Sequence, residues 1–137
     1  MDTVTFLQKK EIADFLLEHL DEYGDQFDDI MSCLDYALDE AVGKGGFVIL
    51  AREEGKIVGA VVMNKTGMSG YIPENILVYI AVNKNQRGKG LGKKIMNTAI
   101  ERAQGGIALH VEPHNPARHL YEKLGFTNKY LEMRLKK

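Results

Sequence analysis

Apolar residues recur along the first forty positions at the spacing expected of two amphipathic helices. The first apolar stripe comprises Ile12, Phe15, Leu16, Leu20 and Tyr23. The second comprises Phe27, Ile30, Met31, Leu34, Leu38 and Ala41. Gly24 is expected to end the first helix and Asp25 to cap the second. A short strand is expected before them, over residues 3–7.

The rest of the chain alternates between strand and helix patterns. Segments 47–52 and 57–63 flank the turn EEGK and predict a β-hairpin. Segment 76–82 is a continuous apolar run, typical of a central strand buried on both faces. A helix pattern starts at Gly90, a strand is predicted over 106–111, and Asn115 is expected to cap a helix that Gly125 ends. With a last strand over 130–135, the order β-α-α-β-β-β-α-β-α-β predicts an α/β layered domain with a mixed sheet.

Composition favours one ordinary globular domain over residues 1–137. Apolar residues make up 45% of the chain and charged residues 27%, and the net charge of −1 gives no global attraction to nucleic acid or membrane. The single Cys33 cannot form an internal disulfide, and no zinc-type Cys/His spacing occurs, so no metal is expected. No signal-peptide pattern or bilayer-length apolar run is present, so a cytoplasmic location is expected.

A glycine-rich basic segment, NQRGKGLGKK (85–94), directly follows the central apolar run. Glycines allow a ligand to approach the backbone closely, and N–H groups at a helix start attract anions. A Walker A loop is excluded because Gly88 and Gly92 are one residue too close and no Ser or Thr follows the lysines. A dinucleotide fingerprint is excluded because Lys93 stands where its third glycine is needed.

The segment from Arg87 to Gly92 matches the pattern [QR]-x-x-G-x-[GA]. It resembles the pyrophosphate loop of the GNAT superfamily of acetyl-CoA-dependent N-acetyltransferases. HVEPHNPARHLYEKLGF (110–126) resembles that family's second signature, and YLEMRL (130–135) resembles its final strand. The resemblance implies a GNAT-like mixed, mostly antiparallel twisted sheet flanked by helices, and acetyl-CoA as the acyl donor.

The resemblance also implies specific cosubstrate contacts. The residues implied for the CoA pyrophosphate are Arg87, Gly88, Lys89, Gly90, Leu91, Gly92 and Lys93. The residues implied for the pantetheine arm, through their backbone groups, are Ile80, Ala81 and Val82. A backbone N–H near Ile80 would polarise the thioester carbonyl.

Two side chains near the end of the chain have implied roles and structural alternatives. Asn115 is implied to bond the CoA arm through its amide; the alternative is a plain helix cap. Tyr121 is implied to protonate the departing thiolate, because a phenol can donate a proton and regain it from solvent. The alternative is that Tyr121 only fills an apolar helix stripe. Cys33 lies in such a stripe and is expected to be a buried core residue, not an acetyl carrier.

The proton acceptor and the amine substrate are left open by the sequence. Glu74, Tyr79 and His110 lie near the relevant strands, and none stands out as a base. Acidic residues 21–29 and the loop 64–75, with Met68 and Tyr71, fall where the family contacts its acceptor. Carboxylates there would attract a cationic amine; the alternative is that they serve capping and solubility.

The expected function is transfer of acetyl from acetyl-CoA to a primary amine by direct attack in a ternary complex. The acceptor is a small-molecule or a peptide amine, and a monomer or homodimer is expected. Binding of nucleic acid and of membranes is not expected. A non-catalytic CoA-binding regulatory module is the alternative.

Overall fold

Four helices and four strands make up the regular structure in a computed structural model that describes residues 5–39 and 44–137. The helices are α1 (Phe6–His19), α2 (Phe27–Ala37), α3 (Leu91–Arg102) and α4 (Ala117–Lys123). The strands are β1 (Gly46–Glu53), β2 (Lys56–Lys65), β3 (Asn75–Val82) and β4 (Ile107–Leu109). Short 3₁₀ turns cover Asp21–Tyr23 and Lys84–Gln86. This arrangement confirms the predicted mixed α/β domain, the hairpin and the central strand.

The strands form one sheet in the order β1-β2-β3-β4. The β1–β2 and β2–β3 pairs are antiparallel, whereas β3 and β4 are parallel. Side chains of β2 alternate between two core clusters: Ala60 and Val62 pack towards α1 and α2, and Val61 and Met63 pack towards α3 and α4. The sheet is therefore covered by helices on both faces.

The strand expected over residues 3–7 is wrong where the structure describes it. Thr5 caps α1, and Phe6 and Leu7 already belong to the helix; residues 3 and 4 lie outside the described residues. The Gln8 N–H donates to Thr5 Oγ1 at 3.2 Å, and the Thr5 N–H donates to Gln8 Oε1 at 2.8 Å. This reciprocal capping box satisfies helix-end donors and favours a helix start over a strand.

The helix boundaries between α1 and α2 also differ from expectation. The first helix ends at His19, with Leu20 as its cap, and Gly24 follows the short 3₁₀ turn instead of ending α1. Asp25 does not cap α2, because Gln26 occupies the capping position and the Asp25 carboxylate accepts a hydrogen bond from Tyr79. The last member of the predicted second stripe, Ala41, lies outside the described residues.

The strands predicted after α3 are shorter than expected or absent. β4 covers three of the six predicted residues, and residues 127–137 form no helix or strand. The alternation of apolar and polar residues in 130–135 is correct for a strand, but a strand needs a neighbour with which to share backbone hydrogen bonds. β4 pairs only with β3, so this segment has no paired neighbour among the described residues.

The glycine at the start of β1, Gly46, provides a test of how closely β1 and β2 approach each other. Gly46 has φ of 149°, and a Cβ atom there would lie 1.9 Å from the Met63 carbonyl oxygen on β2. Gly46→Ala is therefore expected to lower the free energy of unfolding by about 3 kcal/mol or more, because the two strands must separate. Urea unfolding measures the change.

Gly70→Ala is the matched control. Gly70 also has a positive φ, of 79°, but its Cβ would meet no atom within 4 Å. Gly70→Ala is expected to lower the free energy of unfolding by about 1 kcal/mol, from backbone strain alone. Equal costs at the two positions would contradict the close approach of β1 and β2.

Candidate functional site

The site begins where two parallel strands separate. β3 and β4 are paired only over Asn75–Leu77 and Ile107–Leu109, although β3 continues for five residues beyond this. The gap opens into a cavity of about 500 Å³, a size typical of small-molecule sites. Its walls are β3, the glycine-rich loop, the start of α4 and the end of α1.

A β-bulge in β3 sets the direction of the strand along this cavity. Met63 of β2 faces Leu77 and Val62 faces Tyr79, so Val78 is an extra residue without a partner on β2. The bulge places Leu77 in the α3 cluster and Tyr79 in the α1–α2 cluster, although residues two apart normally share a face. The strand is thus re-aimed at the point where its other neighbour departs.

The free edge of β3 presents backbone groups to the cavity. The Asn83 N–H donates to the Val58 carbonyl at 2.8 Å. This bond shows which residues of β3 have their backbone groups directed at β2 and which have them directed away. Because the bonding direction alternates along such a ladder, Ala81 faces β2 while Ile80 and Val82 turn their N–H and C=O groups towards the gap. The Val82 carbonyl accepts a hydrogen bond from Arg87 Nε at 3.3 Å, so the groups left to an amide-bearing ligand are the N–H and C=O of Ile80 and the N–H of Val82.

The glycine-rich loop closes one end of the cavity. Gly88 and Gly90 have φ of 81° and 82°, a region that favours glycine, and Gly90 immediately precedes α3. Gly92 lines the cavity. The first N–H groups of a helix have no partner within it, so they are available to an anion. Neither Lys89 nor Lys93 pairs with a carboxylate of the described chain.

Arg87 makes structural contacts that its place in the motif does not reveal. Its Nη2 donates to the His19 carbonyl at 2.8 Å, and its Nε donates to the Val82 carbonyl at 3.3 Å. Its Nη1 lies 3.8 Å from Asp21. The guanidinium therefore joins the end of α1 to the end of β3, and its charge remains at the cavity wall.

His19 is part of the same connection and was not identified from the sequence. Its ring is buried, its Nδ1 accepts the Lys84 N–H at 3.3 Å, and it lies 4.7 Å from the Phe15 ring. Burial lowers the pKa of His19; the charges of Arg87 and Lys84 act in the same direction, against Glu18 and Asp21. A sequence signal existed, since His19 falls on the buried face of α1, but it did not indicate this contact.

Two of the acidic residues expected near an acceptor, Asp21 and Asp25, have partners within the protein. Lys84 Nζ lies 2.6 Å from Asp21, and this hydrogen bond is the main cause that lowers the Asp21 pKa. The Tyr79 hydroxyl donates to Asp25 at 2.5 Å. Met68 and Tyr71, also considered for the acceptor, are exposed on the β2–β3 loop and do not line the cavity.

Tyr121 lies in the cavity wall with little solvent exposure. It packs in the α3–α4 cluster, 5.9 Å from the Phe126 ring. Burial, and then the charge of Glu112, raises the pKa of Tyr121 to about 12. The phenol is therefore protonated at neutral pH, as a proton donor must be.

Asn115 lies one residue before Pro116, which occupies the capping position of α4, yet its side chain bonds the first residue of the helix. Its Oδ1 accepts the Ala117 N–H at 2.9 Å, and its Nδ2 donates to Glu112 Oε1 at 3.1 Å. Asn115 also lines the cavity. A capping contact is thus present, and a contact with CoA stays a prediction.

Tyr23, which lines the cavity, makes an aromatic contact that sequence patterns did not indicate. The Tyr23 and His114 rings lie 5.7 Å apart and join the 3₁₀ turn after α1 to the loop before α4. Because Tyr23 and His114 are far apart in sequence, no local sequence pattern indicates that their rings meet.

The three side chains considered as proton acceptors lie in different places. Glu74 is at the far end of β3, where its carboxylate accepts the Gly106 N–H at 3.4 Å. Tyr79 lines the cavity, but burial and its bond to Asp25 raise its pKa. His110 lines the cavity from the end of β4, with Nδ1 3.4 Å from Arg134 Nη2.

Cys33 lies outside this cavity lining. Its sulfur accepts a hydrogen bond from Asn64 Nδ2 at 3.6 Å, and burial raises the pKa of the thiol to about 11. A protonated, half-buried thiol is a poor nucleophile. This environment favours the core interpretation of Cys33.

A second cavity, of about 470 Å³, lies between α1 and the β1–β2 turn. It is lined by several carboxylates and contains none of the residues predicted for the site. Across residues 5–39 and 44–137, no group of three His, Cys, Asp or Glu side chains could hold a metal ion. In the same residues, no helix combines the length and apolar character needed to cross a membrane.

Comparison with known families and proteins gives consistent results. The family model described as "Acetyltransferase (GNAT) family" matches residues 6–126. A protein of Pseudomonas phage PaMx11, named 5-NmdU N-acetyltransferase, is 36% identical over 93 residues, covering 64% of this chain. The match spans 62% of that relative's length.

Solved structures share the architecture over nearly the whole chain. A Pyrococcus horikoshii OT3 protein has a TM-score of 0.72 and 26% identity, covering 97% of this chain and 89% of its own. Ribosomal-protein-alanine N-acetyltransferase from Brucella melitensis has a TM-score of 0.65 and 18% identity, covering 96% and 93%. At 18% identity, the second similarity concerns the fold alone.

The buried His19 predicts a pH dependence of stability. Its pKa is lowered from 6.5 in the folded protein, so the unfolded chain binds the proton more readily. The free energy of unfolding is expected to be unaffected by this group above pH 6.5 and to fall as the pH drops from 6.5 towards the lower folded pKa. Urea unfolding between about pH 7.5 and 5 measures the slope.

His19→Gln should flatten that slope, because glutamine can still accept the Lys84 N–H but does not titrate. His119→Gln, at an exposed position of α4, is the matched control and should keep it. An unchanged slope in His19→Gln would show that another group controls the pH dependence.

Proposed function

The chain belongs to the GNAT acetyltransferase family, and on that premise we propose that it transfers the acetyl group of acetyl-CoA to a primary amine by direct attack in a ternary complex. The observation that carries the proposal is the continuity of three features. The free edge of β3, the glycine-rich loop and Tyr121 all line one cavity. Members of this family use acetyl-CoA as cosubstrate.

The loop and the start of α3 would bind the CoA pyrophosphate. The N–H groups of Gly88, Gly90 and the first turn of α3 are the donors, and the exposed Lys89 and Lys93 supply charge. Arg87 contributes mainly by holding the loop, because two of its nitrogens already donate to carbonyls. Its charge also favours an anion at this wall.

The backbone of β3 would hold the pantetheine arm. Amide groups of such an arm can bond the outward-facing backbone groups of Ile80 and Val82, where β4 leaves the hydrogen-bond pattern incomplete. Ala81, between them, pairs with Ala60 of β2 and keeps these two peptide units in place. The Ile80 N–H would polarise the thioester carbonyl, since a fixed donor stabilises the charge that develops on its oxygen. Asn115 contributes through its place in the cavity wall, beside its capping contact.

Proton transfers accompany the reaction. The acceptor ammonium first loses a proton, and its neutral nitrogen then attacks the carbonyl carbon. As the new C–N bond forms, the C–S bond breaks, and Tyr121 donates its proton to the departing thiolate sulfur. The phenolate regains a proton from the acylated nitrogen or from solvent. The net change releases one proton.

His110 is our candidate for the group that removes the first proton. It lines the same cavity, and a neutral imidazole has a ring nitrogen that can accept a proton. The Tyr79 hydroxyl is committed to Asp25, and Glu74 lies at the other end of β3. A water molecule could relay the proton, so a direct contact with the amine is not required.

A thiol-release assay with a panel of primary amines tests the proposal. The panel should include 5-NmdU, because the phage relative is named for that substrate. Transfer to at least one amine, with intersecting initial-rate lines, is expected for a ternary complex. Parallel lines would indicate an acetylated enzyme instead. Binding of acetyl-CoA without transfer to any amine would favour a regulatory module.

Tyr121→Phe tests the proton donor. Turnover is expected to fall by about 100-fold, because general acid catalysis typically contributes 10²–10⁴. The dissociation constant of acetyl-CoA should change by less than about twofold, since phenylalanine fills the same space. Steady-state kinetics and calorimetry measure the two effects.

Tyr71→Phe is the control, because Tyr71 is 82% exposed and outside the cavity lining. It should leave turnover unchanged. Full activity in Tyr121→Phe would remove this phenol from the mechanism.

A further inference from the structure

Two carboxylates line the cavity of Tyr121 among the described residues, and they differ in what they contact. Lys84 Nζ lies 2.6 Å from Asp21, and Arg87 Nη1 lies 3.8 Å from it, so the charge of Asp21 is balanced within the protein. No lysine or arginine of residues 5–39 and 44–137 pairs with Glu112. Glu112 therefore brings a negative charge to the cavity that the described chain does not balance.

Contacts within one turn hold the Glu112 side chain in place. The Asn115 N–H donates to the Glu112 carbonyl at 3.0 Å, and Asn115 Nδ2 donates to Glu112 Oε1 at 3.1 Å. The other carboxylate oxygen, Oε2, accepts no hydrogen bond from the described residues. A carboxylate can accept about four hydrogen bonds, so a fixed negative charge with free acceptor capacity remains for a ligand.

Aromatic rings lie close to this carboxylate. The Tyr23 ring is 5.7 Å from the ring of His114, which belongs to the same turn as Glu112, and both Tyr23 and Tyr121 line the cavity. Burial, and then the charge of Glu112, raises the pKa of Tyr121; burial and Glu22 raise the pKa of Tyr23, with a smaller effect of Glu112 in the same direction. Because the face of an aromatic ring attracts positive charge, a carboxylate with aromatic neighbours suits a cation.

The cation that Glu112 attracts is not part of CoA. The glycine-rich loop and the start of α3 favour anions, and Arg87, Lys89 and Lys93 add positive charge there, as the CoA phosphates require. Glu112 has the opposite preference, since a carboxylate repels phosphate. Of the two substrates, the amine acceptor is the one that carries positive charge at neutral pH.

We propose that Glu112, with Tyr23 beside it, binds a protonated amino group of the acceptor that does not itself react, so that the preferred acceptor carries two amino groups. This inference rests on the proposed acetyl transfer. The nitrogen that attacks must first lose its proton, and a carboxylate in contact with it would favour the protonated form. A second amino group stays charged throughout the reaction and keeps its contact with Glu112 while the first is acetylated.

Paired substrates that differ in one charge test the proposal. Putrescine and cadaverine each have two amino groups, whereas aminobutanol and aminopentanol carry a hydroxyl in place of one of them at the same spacing. In a thiol-release assay of the wild type, kcat/KM for at least one diamine is expected to exceed that for its amino alcohol by at least about tenfold, because hydrogen bonds between charged groups are the stronger kind.

Glu112→Gln separates the charge of this side chain from its shape, since glutamine can still accept the bond from Asn115 Nδ2. The preference for the diamine is expected to fall to within about twofold, through a higher KM with little change in kcat. Glu112→Asp keeps the charge and should retain part of the preference. Glu101→Gln removes the same charge at an exposed position of α3 outside the cavity lining, and should behave as wild type.

Binding without turnover distinguishes a failure of this inference from a failure of the proposed reaction. Cadaverine is titrated into the protein with CoA, which has no acetyl group to transfer, and chemical shifts are followed by NMR. The wild type is expected to bind with a dissociation constant of about 1 mM or lower, and Glu112→Gln at least about fivefold more weakly. Such binding without transfer to any amine would contradict the proposed reaction and still support a diamine site at Glu112.

Three results would overturn the inference. One is a wild type that uses each diamine no better than its amino alcohol. Another is a preference for the diamine that persists undiminished in Glu112→Gln, which would place the second cation elsewhere. The third is a wild type that does not bind cadaverine at concentrations up to about 10 mM, well above the expected dissociation constant.

Discussion

The loss of strand pairing beyond Leu77 is the constraint on which the site depends. Up to that residue, β3 has neighbours on both sides; beyond it, β4 departs and the edge of β3 is open. Unpaired main-chain groups away from water are costly, so such an edge persists when solvent or a ligand satisfies it. The bulge at Val78 occurs at the same place and re-aims the strand along the gap.

The opposite wall is held by polar contacts between the end of α1 and the loop after β3. Arg87 donates to the carbonyls of His19 and Val82, and the Lys84 N–H donates to the His19 ring. The two bonds to His19 join segments more than sixty residues apart in sequence. They fix the glycine-rich loop relative to the strand, which an anion site and a thioester site in one cavity require.

Local patterns predicted the parts of the fold whose cause is local. The hairpin and the central strand follow from turn residues and from an apolar run, and the start of α3 follows from the glycines before it. The strand at 3–7 was wrong because the capping potential of Thr5 and Gln8 was not weighed. The strand at 130–135 had the right alternation but no paired neighbour among the described residues.

The candidate site was predictable to the extent that it rests on backbone and motif. The cavity contains Ile80, Val82, Gly88, Gly92 and Tyr121, all of which the motifs indicated. The motif could not show that two Arg87 nitrogens donate hydrogen bonds to backbone carbonyls. Nor could it show that His114 meets Tyr23, since both facts depend on contacts between distant segments.

The most direct test of the cosubstrate site is calorimetric titration of acetyl-CoA into the wild type, Gly90→Glu and Gly70→Glu. Gly90 and Gly70 have nearly equal φ, 82° and 79°, and a Cβ atom at either position would meet no other atom within 4 Å. The two variants therefore introduce the same backbone strain and the same negative charge, and they differ only in whether the glutamate lies at the proposed CoA site. Micromolar binding is expected in the wild type and Gly70→Glu, with at least a tenfold loss, about 1.4 kcal/mol, in Gly90→Glu. No binding by the wild type, or equal binding by Gly90→Glu, would contradict this account.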